Sequence, residues 1–294
     1  MIRIIITLIN ILPHRFALML GRILGRILRL VLWQKVDRAE SRCVKSLGTG
    51  ITNARSIVKK SFENLGMSAI EFMRLKKLDS NLSRYVEFSG SEILREALSR
   101  KRGVILLASH MDNWELAGSA FFNAGFEITP LYTPQKNTGG INDFILQQRS
   151  QVGRMRMVKS EGAALREIFR TLRSNGIIAI LHDLDARREG VITNFLGIPA
   201  STPDGVVKLH KKFGSPVVPV RYLRDGKNCA FHHVIMDKII SDEKDSNGRN
   251  FGEDFQASLE MCNAEIENWI RNNPDQWLWL IDRWEYTFRK GIAK

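Results

Sequence analysis

Residues 103–109, GVILLAS, run directly into residues 110–115, HMDNWE, and this junction decides the fold. The first stretch is a short apolar run without polar alternation, which suits a strand that is buried on both faces. Similar runs recur at 126–133, 177–183, 216–221 and 229–236. A helix is predicted before the first run, at 91–103, and another after it, in NWELAGSAFFNAG; further helical patterns lie between the runs at 141–152, 162–174 and 204–213. Strands that alternate with helices predict an α/β fold, in which a mostly parallel central sheet is flanked by helices.

The rest of the chain is predicted to be mainly helical. Residues 37–77 have helical patterns with loops near Gly48–Gly50 and near Gly66, and another helix is predicted at about 254–272. The chain contains no internal repeat and no long linker. Because 294 residues can bury one full core, we expect one domain at 36–294 behind a separate helical segment at 1–35.

The composition is that of a folded and strongly basic protein. Apolar residues make up 44% of the chain and charged residues 26%, which excludes a disordered chain. The formal charge of +13 favours anionic partners, such as nucleic acid, an anionic membrane surface, acidic proteins or phosphorylated substrates. The three cysteines lie far apart without a C-x-x-C pair, so we expect reduced thiols in a cytosol-facing protein and no cysteine zinc site.

The N-terminal segment consists of two apolar parts that are separated by Pro13. The first part, 4–12, is too short to span a bilayer, which takes about 20 residues. In the second part the arginines fall on one helical stripe of roughly 60°, and apolar residues fill the other faces. These arginines are Arg15, Arg22, Arg26 and Arg29. Such a pattern is typical of a helix that lies in a membrane interface.

Two alternatives remain for this segment. It could pack on the protein's own core with its arginines in solvent, or the whole segment could span the bilayer at a tilt. Gly21 and Gly25 form a G-x-x-x-G pattern, which would allow close contact with another helix.

The end of the chain is rich in tryptophan. Four tryptophans lie in the last 26 residues: Trp269, Trp277, Trp279 and Trp284. Tryptophans beside arginine and lysine are typical of membrane-interface belts. A C-terminal segment packed across the domain explains the pattern equally well.

His110 and Glu115 are the first candidates for catalysis. Functional groups of parallel α/β sheets gather beyond the carboxyl ends of the strands, and His110 follows the predicted strand 103–109. If Met111–Asn113 form a turn that caps the next helix, Glu115 can fold back toward His110. A carboxylate on one imidazole nitrogen raises the basicity of the other, which creates a general base for a hydroxyl proton. Since no G-x-S-x-G nucleophile motif is present, we expect direct attack by an acceptor hydroxyl on an acyl donor.

HMDNWE resembles the H-x-x-x-x-[DE] motif of the glycerolipid acyltransferases, in the H-x-x-N-W-E form of the bacterial lipid A biosynthesis (late, or secondary) acyltransferases. Further stretches match this family in the same order along nearly the whole chain. They are LYTPQKN and QQRSQVG around Arg149, GIIAILHDLD, NFLGIPASTPDGVVKL, GSPVVPV and NPDQWLWLIDRW. H-x-x-x-x-E is weak by itself, whereas the ordered set is specific.

The resemblance implies a function. Members of this family transfer a fatty acyl chain from an acyl carrier protein or coenzyme A thioester to a hydroxyl of a lipid A precursor. The implied location is the cytoplasmic face of the bacterial inner membrane, with acyl carrier protein, an anionic glycolipid acceptor and membrane lipids as partners. No cofactor beyond the thioester co-substrate and no metal is implied.

The resemblance also implies residue roles. His110 would be the general base, Glu115 its partner, and Arg149 would hold anionic groups of donor or acceptor, although it could also be a plain surface arginine. Asp183 and Thr202 are expected at the substrate site. The structural alternative for Asp183 is that it caps a loop or orients Arg187 or Arg188. For Thr202 the structural alternative is the start of a helix, and the functional one is a wall of the acyl pocket. Asn113 is expected beside the substrate, or as the cap of the turn.

The chain departs from the family pattern at two places. Pro13 and the arginines interrupt a segment that is commonly a clean spanning helix in members, which leaves the mode of anchoring open. HDLDARREG replaces the more usual D-Q after its strand, which leaves the roles of Asp183 and Asp185 open.

Other functional classes stay open. One is acylation of another glycolipid or of a lysophospholipid. A second is a metal-dependent hydrolase that uses His110, Asp183, Asp185 and His210, with His182, His232 and His233 as further candidate ligands. The third is a non-catalytic basic protein on membranes or nucleic acid, although no nucleic-acid-binding motif is present and we expect no nucleic acid partner.

Overall fold

The computed structural model describes residues 2–132, 141–150, 158–159 and 164–293. Its helices are α1 (Ile2–Ile11), α2 (His14–Val31), α3 (Trp33–Leu47), α4 (Ile51–Met73), α5 (Leu75–Asp79), α6 (Ser91–Ser99), α7 (Trp114–Asn123), α8 (Ile141–Ser150), α9 (Ala164–Arg173), α10 (Gly205–Phe213), α11 (Phe255–Asn272) and α12 (Glu285–Arg289). Its strands are β1 (Val86–Ser89), β2 (Val104–Ala108), β3 (Ile128–Tyr132), β4 (Val158–Lys159), β5 (Ile177–Leu181), β6 (Val191–Phe195), β7 (Ile198–Thr202), β8 (Val217–Pro219), β9 (Arg221–Arg224) and β10 (His232–Ile235). Of the family stretches, LYTPQKN and QQRSQVG lie only partly within these residues.

The central sheet is parallel, as the sequence predicts. Its strand order is β4-β3-β5-β2-β8, and every neighbouring pair runs in the same direction. Strand β2 is buried along its whole length, because Ile105 and Leu107 belong to one apolar cluster whereas Leu106 and Ala108 belong to the other. A strand with a core on both faces needs no polar alternation, which explains the unbroken run GVILLA.

Two smaller sheets flank the central one. Strands β1, β10 and β9 form a mixed sheet, in which β1 is parallel and β9 antiparallel to β10. Strands β6 and β7 form an antiparallel hairpin. Mixed α/β architecture with a mostly parallel sheet is therefore confirmed.

Helix α2 packs against α4 through glycine. A Cβ atom at Gly21 would lie 2.7 Å from the carbonyl oxygen of Gly66, and one at Gly25 would collide with the carbonyl oxygen of Phe62. The predicted loop near Gly66 is wrong, because α4 continues through this residue. Gly66 lets the two helix backbones touch and does not end a helix.

Three of the four arginines in the stripe of α2 pair with carboxylates of neighbouring helices. Arg22 and Arg26 pair with Glu63 of α4, and Arg29 pairs with Glu40 of α3. Eight apolar side chains of α2 point outward, with 41–71% of their surface exposed, whereas Ala17 and Leu18 are buried. The exposed eight are Phe16, Met19, Leu20, Ile23, Leu24, Ile27, Leu30 and Val31.

None of the described helices is both long enough and apolar enough to span a bilayer. The attachment of this segment to a membrane, and the division of the chain at residue 35, stay predictions.

The C-terminal tryptophans belong to the core. Trp277, Trp279 and Trp284 have no exposed surface, and Trp269 has 3%. They pack with Phe195 in the apolar cluster on one face of the sheet. A membrane-interface belt is therefore wrong for these residues, and the alternative of a segment packed across the domain is confirmed.

Candidate active site

The candidate site lies where two neighbouring parallel strands end. His110 follows β2, Asp183 follows β5, and the two strands pair in register up to Ala108 and Leu181. The backbone N–H of His182 donates to the carbonyl oxygen of Ala108, which extends the pairing to the loops. Side chains that follow neighbouring parallel strands meet at one edge of the sheet, and this brings His110 and Asp183 together.

Asp183 contacts both the imidazole and the backbone of His110. Its Oδ1 lies 2.7 Å from Nδ1 of His110, and its Oδ2 accepts the backbone N–H of His110 at 2.8 Å. Asp183 is fully buried, which by itself would raise its pKa. The adjacent His110 and the N–H of Trp277 outweigh burial and hold the pKa of Asp183 below its usual range.

These contacts fix the tautomer of His110. An ionised carboxylate only accepts hydrogen bonds, so Nδ1 of His110 must carry the proton. The other nitrogen, Nε2, has no hydrogen-bond partner among the described residues, and 15% of the side chain is exposed. Nε2 is thus a partly accessible proton acceptor, backed by a buried negative charge.

The C-terminal segment closes the site from the other side. Nε1 of Trp277 donates to Oδ2 of Asp183 at 2.8 Å. The backbone N–H of Leu278 donates to the carbonyl oxygen of His110, and Gln276 accepts from the N–H of Asp112. Residues 276–278 therefore fix both the loop that carries His110 and the carboxylate beneath it.

Glu115 forms an ion pair with Arg149. Nε of Arg149 donates to Oε2 of Glu115 at 2.8 Å, and Nη2 contacts Oε1. Trp114 joins this pair to His110: its Nε1 donates to Oε1 of Glu115 at 3.2 Å, and its ring meets the imidazole edge-on with centroids 5.0 Å apart. The ion pair is therefore one side chain away from His110.

The partner of His110 differs from the one expected. Glu115 does not fold back onto the imidazole, because its carboxylate is held by Arg149 and Trp114, and Asp183 takes the place on Nδ1. Glu115 lies on the first turn of α7, whereas Asp183 follows β5, which pairs directly with the strand that precedes His110. Arg149 lies beside the site, as expected.

The other predicted substrate residues are buried inside the protein. Asn113 caps α7: its Oδ1 accepts the N–H of Leu116 at 3.0 Å, and its amide donates to Glu71. Thr202 ends β7 without exposed surface, and its hydroxyl accepts from Arg283 at 2.6 Å. Asn113, Thr202 and Asp183 are at most 3% exposed, and their role at the substrate site stays a prediction. Thr202 does not begin a helix, since α10 starts at Gly205.

Of the residues considered as metal ligands, His110 and Asp183 contact each other, whereas Asp185 and His210 have other partners. Asp185 accepts the backbone N–H groups of Arg187 and Tyr286, and Nδ1 of His210 contacts the carbonyl oxygen of Ser215. His182 is fully buried, and burial lowers its pKa to about 3. In the part of the chain that the structure describes, no group of three or more His, Cys, Asp or Glu side chains is arranged so that it could hold a metal ion.

Two features of the site were missed in the sequence. Trp277 lies in NPDQWLWLIDRW, one of the stretches that match the family, but nothing in that stretch indicates that its indole contacts Asp183. Asp112, inside HMDNWE, has a backbone φ of 43°, and its carboxylate belongs to a buried group of charges.

Comparison with known proteins places this geometry in context. A sequence model of the bacterial lipid A biosynthesis acyltransferases matches residues 1–286. The lipid A biosynthesis lauroyltransferase of Escherichia coli is 24% identical over 243 residues, which cover 81% of this chain and 74% of that protein. The lipid A biosynthesis palmitoleoyltransferase of the same organism is 24% identical over 284 residues, covering 93% and 86%. A phosphatidylinositol mannoside acyltransferase of Mycobacterium tuberculosis is 26% identical over 178 residues, covering 58% and 55%.

Proposed function

Because this chain belongs to the bacterial lipid A biosynthesis acyltransferase family and is an acyltransferase, we propose that it transfers a fatty acyl chain from a thioester to a hydroxyl of a lipid A precursor. The donor is the acyl thioester of either acyl carrier protein or coenzyme A. The observation that carries the proposal is the contact of Asp183 with Nδ1 of His110, which leaves Nε2 as the acceptor for a hydroxyl proton.

The reaction then proceeds by direct transfer. Nε2 of His110 takes the proton of the acceptor hydroxyl while its oxygen attacks the thioester carbonyl. The new ester bond forms, the carbon–sulfur bond breaks, and the imidazolium returns its proton to the leaving thiolate. Asp183 stabilises the imidazolium in between, and a positioned base of this kind contributes about 10² to 10⁴ in rate.

The ion pair of Glu115 and Arg149 suits the binding of an anionic group. Both side chains are 16% exposed and lie beyond Trp114, next to the imidazole. The guanidinium of Arg149 can bind a phosphate of the acceptor or of the carrier's prosthetic group, while Glu115 keeps the guanidinium oriented. Glu115 thus contributes by holding Arg149.

The exposed apolar face of α2 supports a location at the cytoplasmic face of the inner membrane. Each CH₂ group moved from water into lipid contributes about 0.8 kcal/mol, so eight exposed side chains provide a strong tendency to enter a bilayer. We infer that α2 lies in the interface, with its arginine side on α3 and α4. The charge of +13 fits an anionic membrane, a phosphorylated glycolipid and an acidic carrier protein.

The proposal is tested by acyl transfer followed with mass spectrometry. Purified protein in detergent receives acyl carrier protein thioesters of several chain lengths and a tetra-acylated lipid A precursor. We expect a mass gain of one acyl chain, which His110→Ala abolishes. Transfer that survives His110→Ala would refute the role of this base, and the absence of transfer with every donor would refute the acceptor.

A second acceptor deserves the same assay. The similarity to a phosphatidylinositol mannoside acyltransferase makes another glycolipid the competing choice, and a lysophospholipid the next. Parallel reactions with a mannosylated phosphatidylinositol and with a lysophospholipid, at equal concentration, rank the three acceptors by kcat/KM.

The location is tested by flotation with liposomes. Ile23→Gln with Ile27→Gln removes two apolar side chains from the exposed face and should weaken binding to anionic vesicles. Leu165→Gln, on α9, removes a side chain of similar exposure from elsewhere and should leave binding unchanged. Equal binding of both variants would place the membrane contact outside α2.

A further inference from the structure

Four charged side chains form a buried ion cluster beside the catalytic loop. They are Glu71 of α4, Asp112 of the loop, Arg224 of β9 and His232 of β10. Their side chains are at most 4% exposed. Buried charges at this density occur only where each has a partner, so the cluster is a specific assembly.

The four side chains contact one another directly. Arg224 donates to both oxygens of Glu71, at 2.9 and 2.8 Å, and its Nη2 lies 3.2 Å from Oδ1 of Asp112. His232 bridges the two carboxylates: its Nδ1 lies 2.5 Å from Oδ2 of Asp112, and its Nε2 lies 3.0 Å from Oε1 of Glu71. Asp112 is thus clamped between His232 and Arg224.

This geometry sets the charge of His232. Both ring nitrogens face a carboxylate oxygen, so both must donate, and the ring is an imidazolium. The cluster is then neutral, with two carboxylates and two cations. Burial would lower the pKa of His232, but Asp112 and Glu71 outweigh burial and the nearby Arg224 and raise it to about 9.

Two further basic side chains face the cluster. His14 lies 3.9 Å from Glu71, and burial lowers its pKa to about 4, so it is neutral. Arg74 donates its guanidinium to the carbonyl oxygens of Ile9 and Leu12. Neither replaces His232 on Asp112.

The cluster is tied to the catalytic loop by backbone as well. The side-chain amide of Gln276 donates to the backbone carbonyl of Arg224 and accepts the backbone N–H of the same residue. The backbone carbonyl oxygen of Gln276 accepts the N–H of Asp112. Asp112 has a positive φ of 43°, a conformation that is uncommon for residues other than glycine and that the surrounding contacts hold in place. Two residues earlier the same loop presents His110.

We propose that Asp112 is a positioning residue for acyl transfer: clamped by His232 and Arg224, it holds the turn after His110 and so aims Nε2 at the acceptor hydroxyl. This inference rests on the proposed function, since it assigns Asp112 a role in the same reaction. Asp112 does not touch the substrate and acts through His110.

Asp112→Asn tests the proposal by separating kcat from KM. The amide keeps the size of the side chain but loses the charge that binds His232 and Arg224. Misplacement of a catalytic group by about 1 Å lowers the rate by about 10²-fold, so we expect kcat to fall by this order while KM stays constant. Leu94→Ala, a cavity in α6 outside the cluster, controls for lost stability and should retain kcat at temperatures where it is folded.

A double variant tests whether His232 acts through Asp112. If it does, Asp112→Asn with His232→Gln should have the kcat of Asp112→Asn alone, because the contact is already lost. Independent contributions would multiply, and that result would overturn the clamp. If Asp112→Asn does not fold, His232→Gln alone still decides: the clamp requires its kcat to fall with unchanged KM.

An arm without substrate separates this inference from the proposed function. Nitrogen-15 spectra of the six histidines, with the signal of His232 assigned from His232→Gln, should show that His232 is an imidazolium at pH 8 in the wild-type protein and not in Asp112→Asn. A neutral His232 at pH 8 would refute the clamp even if no acceptor is found. Failure of the wild-type protein to acylate any lipid would refute the proposed function alone, and Asp112→Asn with wild-type kcat would refute the positioning role alone.

Discussion

The replacement Asp183→Asn decides which carboxylate orients the catalytic histidine. Oδ2 of Asp183 receives two N–H donors, from the backbone of His110 and from Trp277, and Oδ1 receives only the imidazole. An asparagine will keep its oxygen on the two N–H groups, so its NH₂ group must face Nδ1 of His110. Nδ1 then has to accept, and the proton moves to Nε2.

The expected magnitude follows from this change of tautomer. With a proton on Nε2, His110 cannot remove one from the acceptor hydroxyl. The same replacement in a Ser-His-Asp triad lowers kcat by about 10⁴-fold, which corresponds to about 5.5 kcal/mol in the activation barrier. Because Asp183 is fully buried, KM should change little.

The assay is acyl transfer under saturating donor and acceptor, with kcat and KM measured for each variant. Asp185→Asn is the matched control, since Asp185 lies on the same loop and, among the described residues, accepts hydrogen bonds from the backbone of Arg187 and Tyr286 and not from His110. Glu115→Gln loosens Arg149 and should mainly raise KM. If Asp183→Asn keeps more than about a tenth of kcat while Glu115→Gln loses it, Glu115 is the partner of His110 and our assignment is refuted.

Three further predictions concern stability. Trp277→Phe removes one hydrogen bond to the buried carboxylate and should lower the free energy of unfolding in urea by about 1.5–3 kcal/mol, whereas an unchanged value would mean that Asp183 does not need this donor. Gly66→Ala places a methyl group against the backbone of α2 and should lower it by about 1–3 kcal/mol, while Gly50→Ala, with open space around it, should be nearly neutral; equal effects would contradict the close contact. The pKa of His232 is raised to about 9 in the folded protein, whereas that of an unfolded histidine is about 6.5. The contribution of His232 to the free energy of unfolding is therefore complete below about pH 6.5 and is lost as the pH rises through 9. A urea midpoint that stays level from about pH 7 to 10 would contradict this.

The sheet could be predicted from the sequence because its strands are buried on both faces. Such strands are short apolar runs between helices, and each run that was recognised contains a strand of the central sheet or of the sheet beside it. The sequence wrongly predicts a loop at Gly66, where α4 continues without interruption. Glycine ends a helix or lets another backbone approach it, and only the position of α2 distinguishes the two.

The site was predictable in part. His110 can be located from the sequence because it follows a buried strand, and the structure places Arg149 on Glu115, next to Trp114; the catalytic role of His110 and the binding role of Arg149 stay predictions. The partner was sought five residues away, whereas strand order places the end of β5 next to β2 although 73 residues separate His110 from Asp183. The order of strands is a tertiary property, and the same holds for the ion cluster, in which each side chain comes from a different element.

The backbone pairing of residues 276–278 with the loop that holds His110 has a consequence for biosynthesis. The histidine, the strand beneath it and Asp183 all leave the ribosome well before the segment that fixes them. A growing chain therefore lacks the contacts of residues 276–278 with the His110 loop and with Asp183 until synthesis is nearly complete. Premature termination between Glu115 and Gln276 would yield a polypeptide that keeps the H-x-x-x-x-E signature and lacks these contacts, so the motif in a truncated gene is no evidence of an assembled site.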